Sequence, residues 1–408
     1  MKKMIALLLA AVLCMSLCAC GSTKSMSREE RAAAKILELL EEGDYEGAHE
    51  VIDKLEEKND KDKDEDDAPP AEAPAATEPV VEMPAVETPA VEMPESSEPE
   101  ETMAPQTLFY IYSAEELFAM GDSADLTYIL GCDIDLAGQV FTVETFRGTL
   151  DGNGFAIYNA SAPLIRENEG TVQGLAVLDC DIRMAEDVGA IAVENRGSIL
   201  GCVVSGIVDS TAKNAYAGGI VASNKGTIES CVNVAEVRAV SYALNDLGNV
   251  IHGTWANAGG ICARNNGYIS RCSNAGAIHA EGSEYISAAG GIVAGNTGGE
   301  VTDCFNTGTI TTDKRDCGGI CGFSDKGRFI NCYNIGSSVS GIVGDNRDYI
   351  IDCYYLSSVS QNGSGTALNR EGERIHVFTM EELTLESTFG TFDFENVWVM
   401  TNEGPKLR

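Results

Sequence analysis

A block of roughly twenty residues, of the form G-G-I-V-x-x-N-x-G-x-I-x-x-C-x-N-x-G-x-I, recurs along the second half of this chain and limits what it can fold into. It reads GGIVASNKGTIESCVNVAEV from Gly218, GGICARNNGYISRCSNAGAI from Gly259, GGIVAGNTGGEVTDCFNTGTI from Gly290 and GGICGFSDKGRFINCYNIGSS from Gly318. Worn copies begin at Gly189 (GAIAVENRGSILGC) and Ser340 (SGIVGDNRDYIIDC). A unit this small cannot bury an apolar face alone, so the copies must stack into a solenoid. Short β-branched runs, Gly/Asn punctuation and the lack of a 3.6-residue pattern predict strand–turn–strand units. The expected fold is mainly β, a parallel β-helix of about six to eight coils.

Parity locates the corners. Ile228 and Cys231 are both apolar but three residues apart, so one unbroken strand cannot turn both inward. A corner is therefore expected at Ser230, Arg271, Asp303, Asn331 and Asp352 in successive coils, where Asn and Gly would tolerate positive φ. Stacking equivalent positions puts Cys202, Cys231, Cys272, Cys304, Cys332 and Cys353 in one ladder at about 4.8 Å per rung. Six such residues suggest either a disulfide or metal set or a column of small buried hydrophobes. The second is favoured, because in-register Cβ atoms lie further apart than the roughly 3.8 Å of a disulfide. Asn233, Asn274, Asn306 and Asn334 form a second ladder, expected to be a hydrogen-bonded stack.

These units resemble the GLUG-motif repeats of bacterial surface proteins. Gly341-Ile342-Val343-Gly344 and Gly319-Ile320-Cys321-Gly322 match the core tetrapeptide, and Gly291-Ile292-Val293-Ala294 departs from it at the last position. The opening LTYILGCDIDLAG and FRGTLDGNGFAIYNA and the ending FDFENVWVMTNEGPKLR also look like those of GLUG proteins. The resemblance implies a right-handed β-helix on a surface lipoprotein. It implies little about activity, since such repeats occur in adhesin-like proteins and as passengers on enzymes.

The remaining chain divides by composition. Lys2 and Lys3 precede an apolar run from Met4 to Leu17, too short to span a bilayer in a mature protein, so 1–19 reads as an export signal. Leu17-Cys18-Ala19-Cys20 resembles a lipobox, which would make Cys20 the diacylated first residue, an anchor on the outer face of the cell membrane. Residues 20–58 then carry a helical hairpin, with apolar spacing of three and four from Arg31 to Leu40 and from Tyr45 to Leu55. This stretch resembles one tetratricopeptide-type unit. An acidic, Pro-rich linker follows over 59–106, with a VEMPA-VETPA-VEMPE repeat that should stay extended. Residues 107–170 read as the N-terminal cap and first coils, 171–356 as the repeats and 357–408 as a C-terminal cap. Residues 28–101 carry 7 basic and 26 acidic side chains, a net −19 of the chain's −35. Such acidity argues against nucleic acid and acidic polymers as partners. Removing Cys14 and Cys18 and acylating Cys20 leaves eleven of the 14 cysteines, an odd number that cannot all pair. Free buried thiols outside the membrane suit a poorly oxidising habitat.

Catalytic signatures are sparse. His49, His252, His279 and His376 form no H-E-x-x-H pair, the zinc motif of the immunoglobulin A-cleaving metallopeptidases that some GLUG proteins resemble, so that reading is set aside. No G-x-S-x-G, P-loop or dinucleotide fingerprint occurs, and no cofactor is expected. Cys317-x-x-x-Cys321 lacks the partners of a zinc site. Asp133, Asp135 and Asp151 could bind calcium or act as a carboxylate pair, but turn chemistry explains them. Asp303 and Asp352, two rungs apart, would stand about 9.6 Å from each other, near the spacing of an inverting glycosidase pair. Solvated corners account for them more simply.

Binding features are better supported. Chain length varies between the ladder Cys and the next Gly pair, and hardly at all elsewhere, so insertions leave by one corner, often the binding side of a solenoid. The longest, Arg238 to Ala258, brings Tyr242, His252 and Trp255, and neighbouring coils add Tyr216 and Tyr285. Exposed aromatics suit sugar rings, although Trp255 could equally pack the loop on the barrel. Phe305, Tyr333 and Tyr354 each follow a ladder Cys and should point outward, as a second binding stripe or as a cross-strand aromatic stack. The expected function is glycan or surface-protein binding by an anchored lipoprotein; the alternative is a polysaccharide lyase or glycosidase.

Overall fold

The computed structural model describes residues 107–408 except 122, 242–253, 283–285, 314–315, 348, 361 and 365–373. Cys20, the 20–58 hairpin and the 59–106 linker lie outside the described residues, as do Tyr242, His252 and Tyr285. From Thr107 onward the chain winds as a parallel β-helix with three walls, and coil-to-coil pairing is parallel throughout. The first wall has ten strands. Six belong to the legible repeats. Four more, Thr107–Ile111, Leu126–Leu130, Thr149–Asp151 and Thr171–Gln173, precede them. The early coils lack the repeat's markers: in the last of them Leu175, fully buried, stands where later coils have the ladder cysteine.

The corner positions derived from parity are the observed ones. Ser230, Arg271, Asp303, Asn331 and Asp352 all take left-handed backbone, with φ of 54, 52, 53, 52 and 52°. Such a residue reverses the side-chain alternation, so Ile228 and Cys231 both face the core. Inside the first wall Leu150, Val172, Ile199, Ile228, Ile269, Val301, Phe329 and Ile350 stack in register as one buried column.

The six ladder cysteines are buried, unpaired thiols. The N–H of Cys202 donates to Cys231 Sγ at 3.4 Å, and the Cys231–Cys272 and Cys272–Cys304 steps repeat this contact. Burial pushes the thiols of Cys202, Cys272, Cys304 and Cys353 well above the ordinary range, which keeps them protonated and inert.

Asn233, Asn274, Asn306 and Asn334 form the expected amide ladder, each Nδ2 donating to the next Oδ1 at 2.8 Å. The second glycine of each Gly pair is bound to this ladder: a Cβ on Gly260 would collide with Asn274 and the Gly291 carbonyl. A second amide ladder, which the sequence pattern alone did not suggest, runs through Asn168, Asn195, Asn224, Asn265 and Asn296 at 2.8–3.0 Å per step. It comes from the other recurring Asn of the block. Its first member abuts Phe146, which cannot donate, so Asn168 Oδ1 is left without a partner. Outside the barrel, register stacks Glu167 on Glu194, and Arg196 bridges both at 2.7 and 3.0 Å.

The C-terminal segment does more than close the last coil. Ile375–Phe378 extends the second wall by one rung, and the chain then folds outside the barrel and ends in the antiparallel pair Trp398–Thr401 and Gly404–Leu407. Phe378, Leu383, Phe389, Phe392 and Trp398 form a second apolar cluster with Phe305, Tyr333, Tyr354 and Leu356. Among the described residues no helix is long and apolar enough to cross a membrane.

Candidate binding surface

Length variation concentrates at the corner between the second and third walls. Four middle coils cross it in two or three residues, 185–187, 213–214, 283–285 and 313–315, and the coils toward either end in five to seven. One coil uses thirteen, 242–254, between Glu236–Ser241 and Trp255–Gly259. The insertion is shorter than the sequence implied, because Arg238–Ser241 and Trp255–Ala258 are paired rungs of their walls.

Trp255 opens the strand directly after this insertion and is 45% exposed. Its backbone N–H donates to Asn214 Oδ1 at 3.2 Å, which fixes the backbone beneath a partly exposed indole. Asn257, two residues on, takes the same outer side by strand alternation. Its side chain is buried between Tyr216 and Ala288 in register, and its Oδ1 has no partner. Asn257 is a buried neighbour of this corner that repeat analysis does not single out; the W-A-N-A-G alternation before the Gly pair is the available signal. One rung beyond Ala288 in this column is Asp316. Burial, and next the charge of Asp345, raise its carboxyl to about 6 against the pull of Arg347.

Among the described residues the other nominated aromatics are not available. Tyr216, expected at the surface, is instead covered: the Arg264 guanidinium lies 4.0 Å above its ring and pairs with Asp187 at 3.2 Å, leaving the tyrosine buried. Phe305, Tyr333 and Tyr354 do point away from the barrel, and Phe305 and Tyr333 stack at 5.0 Å and 3°, but the C-terminal segment covers all three. Trp398 and Phe389 pack on Tyr333, whose hydroxyl donates to the Pro405 carbonyl. The stripe is thus a buried docking strip for the chain's own C-terminus rather than a ligand surface.

The candidate carboxylates are likewise engaged. Asp133 Oδ1 accepts from Ala156 N–H at 2.9 Å, Asp135 Oδ1 from Ala137 N–H and Asn159 Nδ2, and Asp151 from Asn153 N–H and Gln173 Nε2. Asp303 and Asp352 are not solvated corners. Asp303 receives the Trp398 indole N–H at 3.2 Å. Asp352 takes both Arg374 Nε and Nη2 at 2.6 Å and faces His376 at 3.3 Å. His279 contacts Thr311 at 2.9 Å. Cys317 and Cys321 sit on separate strands and turn to the Ile310 and Phe323 carbonyls. Among the described residues no group of three or more His, Cys, Asp or Glu could hold a metal ion.

No protein-family model matches the chain, and no curated protein matches it. Among solved structures it is similar to a provisionally named immunoglobulin A1 protease from Bacteroides ovatus, at 19% identity over 75% of this chain and 93% of that one, with a TM-score of 0.47. It is also similar to an IgA1 protease at 17% identity, over 66% of this chain and 21% of that one, with a TM-score of 0.49.

Proposed function

We propose that this chain is a surface lipoprotein, held by an acylated Cys20, whose β-helix binds a glycan at the corner headed by Trp255. The observation that carries the reading is the contrast among the described aromatics nominated from the sequence. Tyr216, Phe305, Tyr333 and Tyr354 are buried by the protein's own groups, whereas Trp255 keeps 45% of its surface exposed beside the longest insertion. An indole face on a rigid strand suits the apolar face of a pyranose. The long acidic linker agrees with a domain displayed away from the membrane, as does the GLUG resemblance.

A second reading, polysaccharide cleavage, is favoured by Asp316. A carboxyl held near neutrality beside another carboxylate is what a general acid requires. Purified protein should be applied to a glycan array and, in parallel, to soluble polysaccharides with new reducing ends or unsaturated products measured. Binding without product supports the binding protein. Product that disappears in Asp316→Asn establishes the enzyme, and binding to immobilised cells but to no glycan redirects the reading to a protein ligand.

A further inference from the structure

The first rung of the first wall is an open edge. Thr107–Ile111 pairs with Leu126–Leu130 on one side, and among the described residues no strand pairs its other side. Exposed edges of this kind are normally blunted by charge, proline or a covering element. This one reads Thr-Leu-Phe-Tyr-Ile, without a charge or proline, and Leu108, Phe109, Tyr110 and the following Tyr112 are 55, 46, 54 and 59% exposed. Phe109 belongs to the inward column of the barrel, in register with buried Tyr128 and Leu150, so the apolar core of the solenoid reaches the surface there.

We propose that this edge is a self-association surface, on which two copies pair Thr107–Ile111 antiparallel about a two-fold axis through Phe109. The strand is self-complementary in that arrangement. A two-fold along the outward radius reverses the strand yet keeps inside facing inside. Phe109 then meets Phe109 of the other copy and joins the two cores, while Leu108 meets Tyr110 on the outer side. Charge favours this end, since a chain of net −35 presents here a run that carries no charge at neutral pH to repel its like. The chain's own preceding segment is a poor occupant: prolines at 79, 84, 89, 94, 99 and 105 cannot donate to a ladder.

Full-length protein carrying Phe109→Cys should form a disulfide-linked dimer under mild copper–phenanthroline oxidation. Tyr268→Cys, comparably exposed but in mid-wall, should stay monomeric. Leu108→Lys with Tyr110→Lys, on two exposed side chains, should lower the dimer fraction in sedimentation by at least tenfold with unchanged circular dichroism. Equal cross-linking at both cysteine positions would overturn the proposal. So would a Phe109→Cys protein that stays monomeric, whether its introduced thiol alkylates freely or is protected; protection in the monomer would show that the chain covers its own edge.

Discussion

Cys272 sits mid-ladder with its N–H directed at Cys304 Sγ and its own sulfur at the Ser270 carbonyl, 3.2 Å away. Replacing it with Asp buries an unpaired charge and should cost several kcal/mol, whereas Cys272→Ala should cost about 1 kcal/mol, the loss of a small buried group. Urea unfolding of the two variants checks the difference. Asp316 makes a pH-dependent contribution of opposite kind. Its folded pKa is raised to about 6, so the stability tied to its protonated form is present below its ordinary value of 3.8 and lost as pH rises through 6. Asp316→Asn should lack that loss. Two units correspond to about 3 kcal/mol, and contact with solvent should reduce the gain at pH 7.5 to about 1 kcal/mol. Thermal melts at pH 4.5 and 7.5 would show it as a difference that grows with pH. Residue-scale features are legible where they follow from periodicity. The left-handed corners come from two apolar positions three apart, and the Asn233 ladder from register alone. The burial of Tyr216 is not legible, because Arg264 reaches it from the next coil across the insertion.

The C-terminal segment is the element that the repeat pattern conceals. Outward-facing Phe305, Tyr333 and Tyr354 look like a surface in the sequence because nothing in their own coils covers them; Trp398, Phe389 and Phe392 arrive from the end of the chain. Trp398→Ala should cost about 3–5 kcal/mol in that cluster and raise proteolysis after residue 374 while the barrel keeps its far-UV spectrum. The segment is also pinned by Asp352. Its hydrogen bonds to Arg374, and then to His376, outweigh its burial and hold its carboxyl below the usual range. That contribution is present above the ordinary value of 3.8 and lost as pH falls through the folded value, so acid should loosen the segment before the coils. Hydrogen exchange on Ile375–Phe378 at pH 3 and pH 6 tests the order. The insertion corner, in contrast, is readable in outline, because loop length varies there far more than elsewhere. Its limits are not, since strand pairing takes in residues on both sides.

At the scale of the whole molecule, a repeat that stacks in register yields one continuous core, and what the repeat does not dictate is found at the corner after Ser241, the open first rung and the C-terminal wrap. The N-terminal region lies outside the described residues, and its role is tested in cells. Cys20→Ala should release the protein from membranes or leave an uncleaved precursor, and unchanged detergent partitioning would refute the anchor. The most direct test of the binding account is Trp255→Ala, measured by biolayer interferometry against the glycan or cell surface that retains the wild-type protein. The indole is exposed and its backbone is held through Asn214, so the melting temperature should move by less than about 2 °C while affinity falls at least tenfold. Full affinity in Trp255→Ala, at an unchanged melting temperature, would contradict the account.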